Sequence, residues 1–110
     1  MDPRVEHAVR IMHLNASHNV SIFQLARRLN LSPWYFAHLF KAETSVSPKH
    51  YMRDLKIREA QNLLRGSFLS VKEIAAKVGF GDRSHFSRDF KKLCGLSPSD
   101  FRARAAPDER

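Results

Sequence analysis

An all-α fold, two helix-turn-helix units sharing one long central helix, is predicted for this 110-residue chain by three observations. No alternating β-branched run of useful length appears, so strands are not expected. Apolar residues recur at three- and four-residue spacing, between Ser, Asp, Gly and Pro residues placed where helices start and stop. The pattern also occurs twice. Val20-Ser21, Leu25-Ala26 and Leu29 return 49 positions later as Leu69-Ser70, Ile74-Ala75 and Val78. After one extra turn residue, Ser32, Phe36, Phe40-Lys41, Ser47-Pro48 and Tyr51 return 50 positions later as Asp82, Phe86, Phe90-Lys91, Ser97-Pro98 and Phe101. A repeat this regular, with its insertion confined to a turn, is a duplicated supersecondary unit.

Each element follows from its own residues. Pro3 to Asn15 places Val5, Ala8, Val9 and Met12, with Ile11 nearby, at helical spacing, and the polar run Asn15 to Asn19 ends it. Ser21 caps a helix over Ile22 to Leu29, whose apolar positions are Ile22, Leu25, Ala26 and Leu29. Asn30-Leu31 makes a turn. Ser32 then caps a third helix, with Pro33 at its first position, running to about Glu43. Pro48 to Arg65 is one long helix that Gly66 ends. Its first half gathers Tyr51, Met52 and Leu55 on one side, and its second half gathers Ile57, Ala60, Leu63 and Leu64 about 140° round. The buried face changes side midway, so the two halves are expected to serve different cores and to fix the spacing of the units. A rod of this length spans about 27 Å. In the second unit Gly79 and Gly81 break the helical pattern, Asp82 caps the next helix, and Phe86, Phe90 and Leu93 fall on one side of it. The predicted organisation is a first unit over 1–47, a linking helix over 48–65, a second unit over 66–104 and a tail over 105–110.

Composition narrows what such a chain can do. The formal charge is +8, and all of the excess lies between residues 20 and 102, inside the patterned region rather than in a tail. An anionic partner is implied. A single cysteine, Cys94, permits no internal disulfide and, without any secretory signal, points to a reducing cytoplasm. No apolar run approaches the ~20 residues that span a bilayer.

The faces opposite the paired phenylalanines carry the candidate chemistry. Around Phe86 and Phe90 the far side holds Ser84, Ser87, Arg88 and Lys91; around Phe36 and Phe40 it holds Trp34, Ala37, His38 and Lys41. Donors and small groups on a helix of this kind suit the edges of base pairs. The Arg88 fork matches the O6 and N7 acceptors of guanine, unless it pairs with Asp89 or a phosphate. Trp34 lies against a thymine methyl or along the sugar edge, or else folds back over the core. His38 can donate to a base acceptor, and Ala37 can touch a methyl. Lys41, Lys91 and Lys92 suit phosphate, and Arg83 has the length to reach DNA from the core edge. Ser21, Ser70 and Lys72 lie at helix starts, where free amides favour a phosphate.

Enzymatic readings find little support. Six histidines, His7, His13, His18, His38, His50 and His85, show no ligand spacing for a metal, and no phosphate loop, nucleophile elbow or triad order appears. Neither an enzyme nor a cofactor is expected. Cys94 reads as a small buried filler. The rival readings are a nonspecific architectural DNA binder and a helical bundle whose Trp34 face docks an acidic protein.

The second unit carries Ile74-Ala75, Val78-Gly79-Phe80, Ser84, Phe86-Ser87-Arg88, Phe90-Lys91-Lys92, Gly95, Ser97-Pro98 and Phe101-Arg102. With Arg58, Ala60 and Leu64 before it, this set resembles the DNA-binding module of the AraC/XylS family of bacterial transcription regulators, over residues 5 to 104. The resemblance implies seven helices, a monomeric module, and two recognition helices in successive major-groove segments of an asymmetric site. It implies base reading by Trp34, Ala37, His38, Arg83, Ser84, Ser87 and Arg88, and contact with RNA polymerase in activation. Family members often have glutamine or arginine where this chain has Ala37 and His38, so its first unit is expected to read fewer bases. Most also carry an amino-terminal effector or dimerisation domain, through which a parent protein would dimerise.

Overall fold

In a computed structural model, which describes residues 1–15 and 20–105, side-chain oxygens open the helices at Ser21, Ser32 and Asp82 as predicted, and at Asp2 and Ser70 as well. The described residues form seven helices and no strand. They are α1 (Pro3–Leu14), α2 (Ile22–Arg28), α3 (Pro33–Thr44), α4 (Pro48–Gly66), α5 (Val71–Lys77), α6 (Arg83–Cys94) and α7 (Pro98–Ala105). Beyond Asn15, the predicted polar break lies outside the described residues, together with His18 and the predicted tail after Ala105.

The chain divides into two compact units, Met1–Leu55 and Lys56–Arg110, each with its own core. In the first, Val5, Ala8 and Met12 of α1 pack with Leu25 and Ala26 of α2, Phe36 and Phe40 of α3, and Met52 and Leu55 of α4. In the second, Ile57, Ala60 and Leu64 of α4 pack with Ile74, Ala75 and Val78, and with Phe86 and Phe90 of α6. The change of buried face along α4 is therefore real, and each half of the helix serves one core.

This division exposes a further piece of the duplication. Val5, Ala8 and Met12 correspond to Ile57, Ala60 and Leu64, each pair 52 positions apart. The second half of α4 thus does for its unit what α1 does for the first. The burial pattern of 36–50 also repeats residue for residue over 86–100.

The turns inside the units share one device. Leu31 N donates to Ala26 O at 3.0 Å and Phe80 N to Ala75 O at 2.9 Å, closing α2 and α5 around Asn30 (φ 59°) and Gly79 (φ 95°). Six-to-one closure with a left-handed residue at the end satisfies carbonyls that the helix leaves free. After α3 and α6 the left-handed position falls to Ser45 (φ 73°) and Gly95 (φ 82°). Serine has a Cβ that this conformation crowds, and glycine does not. Ser45→Gly is expected to raise stability by about 1 kcal/mol and Gly95→Ser to lower it by about 1 kcal/mol, read from urea unfolding midpoints. Around Gly95 an added Cβ meets nothing within 4 Å, so the loss there comes from backbone strain alone.

Two expectations need correction. Gly66 belongs to α4 rather than ending it; the stop is Ser67, whose amide and hydroxyl both donate to Leu63 O, at 3.0 and 2.7 Å. Leu93 is 40% exposed although it shares a heptad position with Phe86, because it sits in the last turn of α6 at the edge of the core. Beyond the stop, Arg102 of α7 donates to Leu64 O at 3.1 Å and Ser67 O at 3.3 Å, capping the carboxyl end of α4 with a cation.

Candidate nucleic-acid interface

The paired phenylalanines fix which side of α3 and of α6 faces solvent. Phe36 and Phe40 are fully buried with ring centroids 5.7 Å apart, and Phe86 and Phe90 match them at 5.7 Å. At 3.6 residues per turn the opposite face must then be outward. On α6 it carries Ser84, Arg88 and Lys91, all exposed, and the half-buried Ser87; Arg83 and Lys92 flank it and are exposed too. On α3 it carries Trp34, His38 and Lys41, exposed, and the half-buried Ala37. Each predicted set is thus brought together on one surface of its own unit.

Arg88 is uncommitted. Its neighbour Asp89 turns to His85, whose Nε2 is 3.3 Å from the carboxylate, and Arg88 itself makes no hydrogen bond or ion pair among the described residues. A guanidinium held out on a helix face without an intramolecular partner keeps all five donors for a ligand. Trp34 does not fold over the core. It is 68% exposed and lies against His38, ring centroids 3.9 Å apart, while His38 Nδ1 is 2.8 Å from Trp34 O. Because a carbonyl oxygen only accepts, the Nδ1 that faces it carries a proton, and in the ring's uncharged form Nε2 is then an acceptor.

The helix starts differ between units. Ser21 Oγ accepts from Gln24 N at 3.2 Å, and no acidic residue stands in the first turn of α2. At α5, Ser70 Oγ accepts from Glu73 N at 3.0 Å and Glu73 Oε1 accepts from Ser70 N at 2.8 Å, a reciprocal cap. The Ser70 backbone N–H, and to a lesser extent its hydroxyl, hold the Glu73 carboxyl below its ordinary value. A carboxylate already occupies the positive end of α5, which makes Ser70 a poorer phosphate contact than Ser21, while Lys72 remains exposed beside it. Ser70→Ala is expected to lower stability by about 1 kcal/mol. Since the folded carboxyl is the stronger acid, its contribution is present above the unfolded value and lost as pH falls through the folded one. Glu73→Gln should flatten that acid limb in a thermal melt series against pH.

Sequence reasoning passed over three exposed aromatics, Phe23, Tyr35 and the fully exposed Phe68. Phe23 is 67% exposed at the place in α2 that Lys72 takes in α5, and Tyr35 is 43% exposed on α3 with the Arg4 guanidinium 5.8 Å from its ring centroid. Phe23 was detectable, since it stands outside the Ile22, Leu25, Ala26, Leu29 spacing. Cys94 is half-buried rather than buried; Gln61 Nε2 lies 3.0 Å from its Sγ, and burial pushes the thiol up, against a smaller pull from that amide. A raised thiol is a weak nucleophile. Among the described residues no cluster of His, Cys, Asp and Glu could hold a metal ion, and no helix is long and apolar enough to cross a membrane.

Two helix-turn-helix units, each offering the outer face of its second helix, define a DNA-binding domain of a transcription regulator. A family model described as a helix-turn-helix domain matches residues 25–104. The chain belongs to the AraC/XylS family. It is 38% identical over 105 residues to the arabinose operon regulatory protein of Escherichia coli, covering 94% of this chain and 36% of that protein. Among solved structures, the C-terminal domain of AraT, a response regulator from Geobacillus stearothermophilus, superposes with a TM-score of 0.91 at 30% identity, over 98% of this chain and 90% of that one. The DNA-binding domain of AdpA, a global transcriptional factor solved in complex with a target DNA, gives 0.86 at 27% identity, over 94% and 93%. The chain spans between 13% and 37% of the length of the curated relatives it matches. These relatives are regulators.

Proposed function

We propose that this domain binds double-stranded DNA sequence-specifically, with α3 and α6 entering successive major-groove segments, and that it serves transcription activation through contact with RNA polymerase. Residues 1–47 and 66–104 are then the two reading units and 48–65 the helix they share. Arg83, Ser84, Ser87 and Arg88 read bases from α6, and Trp34, Ala37 and His38 read them from α3. Lys41, Lys91 and Lys92, with Ser21, Lys72 and Ser70, dock the phosphates, which fixes register without reading sequence. The module acts as a monomer in the bacterial cytoplasm, and a parent protein would dimerise through another domain.

The observation that carries this reading is the unpaired, outward Arg88 guanidinium on the face opposite Phe86 and Phe90. Such a fork is the commonest major-groove reader of guanine. The test is selection of bound duplexes from a random pool by the 110-residue chain. The expected product is one site with two unlike boxes about one turn apart, bound far more tightly than scrambled DNA. Equal affinity for selected and scrambled duplexes would overturn it, and a reporter carrying the recovered site reads the sign of regulation.

A further inference from the structure

The Trp34–His38 pair fixes more than the position of an imidazole. His38 is held at one edge by the Trp34 carbonyl, 2.8 Å from Nδ1, and on one face by the indole, 3.9 Å between ring centroids with the planes tilted 31°. The bond to the carbonyl places the proton on Nδ1, so the neutral ring carries a lone pair on Nε2, at the opposite end of the ring from that bond. In the major groove guanine presents acceptors at O6 and N7, adenine an acceptor at N7, and thymine an acceptor at O4. Only the N6 amine of adenine and the N4 amine of cytosine donate. A lone pair aimed at the first group repels; aimed at an amine it closes a hydrogen bond.

From this geometry we infer that His38 is a specificity-determining residue that selects an exocyclic amine, on adenine or cytosine, at one base pair of the site. The inference rests on the proposed insertion of α3 into the major groove. It gives the first unit a chemical preference opposite to that of Arg88, whose donors seek acceptors. Trp34 acts here as a positioning residue, since its carbonyl sets the tautomer and its ring sets the plane.

The test uses the 110-residue chain on its selected duplex, with each adenine in the half-site that α3 contacts replaced by purine and each cytosine by 2-pyrimidinone. Both analogues lack the amine and keep the base shape. One position is expected where the parent chain loses about 3- to 10-fold in affinity and His38→Ala loses nothing further. His38→Lys, which can only donate, should shift the preference there toward guanine or thymine. If the base pair relaxed in His38→Ala responds instead to 7-deazaguanine, His38 reads an acceptor and the inference fails while the groove reading stands. If His38→Ala changes no base preference while Arg88→Ala relaxes one, the inference fails in the first unit alone. Should neither variant change any preference, the groove reading itself is overturned.

Discussion

Phe90→Ala is expected to cost about 3–5 kcal/mol of folding stability, the largest single effect on the fold. The ring is wholly buried, with Phe86 at 5.7 Å and Phe101 at 5.4 Å between centroids, the latter edge-on at 80°. Truncation removes a large apolar surface and leaves a cavity lined by two further rings, which cannot collapse without moving α6 against α7. Small domains have only about 5–15 kcal/mol in total, so the variant should unfold at a much lower urea concentration. Phe40→Ala is the matched variant. Phe40 meets Phe36 and Tyr51 at 5.7 and 5.4 Å, so a comparable loss is expected. A loss below about 1 kcal/mol in either would mean that these rings do not form the cores described.

Arg88→Ala is expected to lose about 1–3 kcal/mol of discrimination at one base pair, a factor of about 5 to 150, and little elsewhere. Lys91→Ala, one turn further along the same face, should behave differently. A phosphate contact is blind to sequence, so binding to specific and scrambled duplexes should weaken alike, and the slope of log affinity against log salt should fall by about one. Competition titrations across several salt concentrations separate the two outcomes. Equal losses on specific and scrambled DNA for both variants would reassign Arg88 to the backbone.

Much of this was legible in the residues because each feature rests on local chemistry. Ser21, Ser32 and Asp82 cap where their side-chain oxygens reach free amides, and the phenylalanine pairs at i and i+4 lie on one face by helical geometry. The shift of the apolar face along α4 reported two cores before any packing was visible. Other features needed coordinates. The correspondence of α1 with the second half of α4 is hidden by a connection three residues longer, and by substitutions of Val for Ile and Met for Leu that leave only a spacing. Leu93 is apolar at a core-facing register, and exposure at a helix end is a matter of what happens to cover it. The Trp34–His38 stack depends on side-chain torsions that spacing does not encode. Ser70-x-x-Glu73 is a different case. The signature of a reciprocal cap stood in the sequence, and a reading of helix starts as phosphate sites alone passed over it.

The matching burial of 36–50 and 86–100 has a practical corollary. Where inward residues alone hold a helix in place, outward ones can be exchanged wholesale without disturbing the interior. On the proposed reading of these faces, grafting the solvent face of α6 onto the frame of α3, or the reverse, is expected to yield stable chains whose preferred targets are rewritten like type set in a fixed forme. Drift of target sequences within such a lineage would need no accompanying repair of its cores.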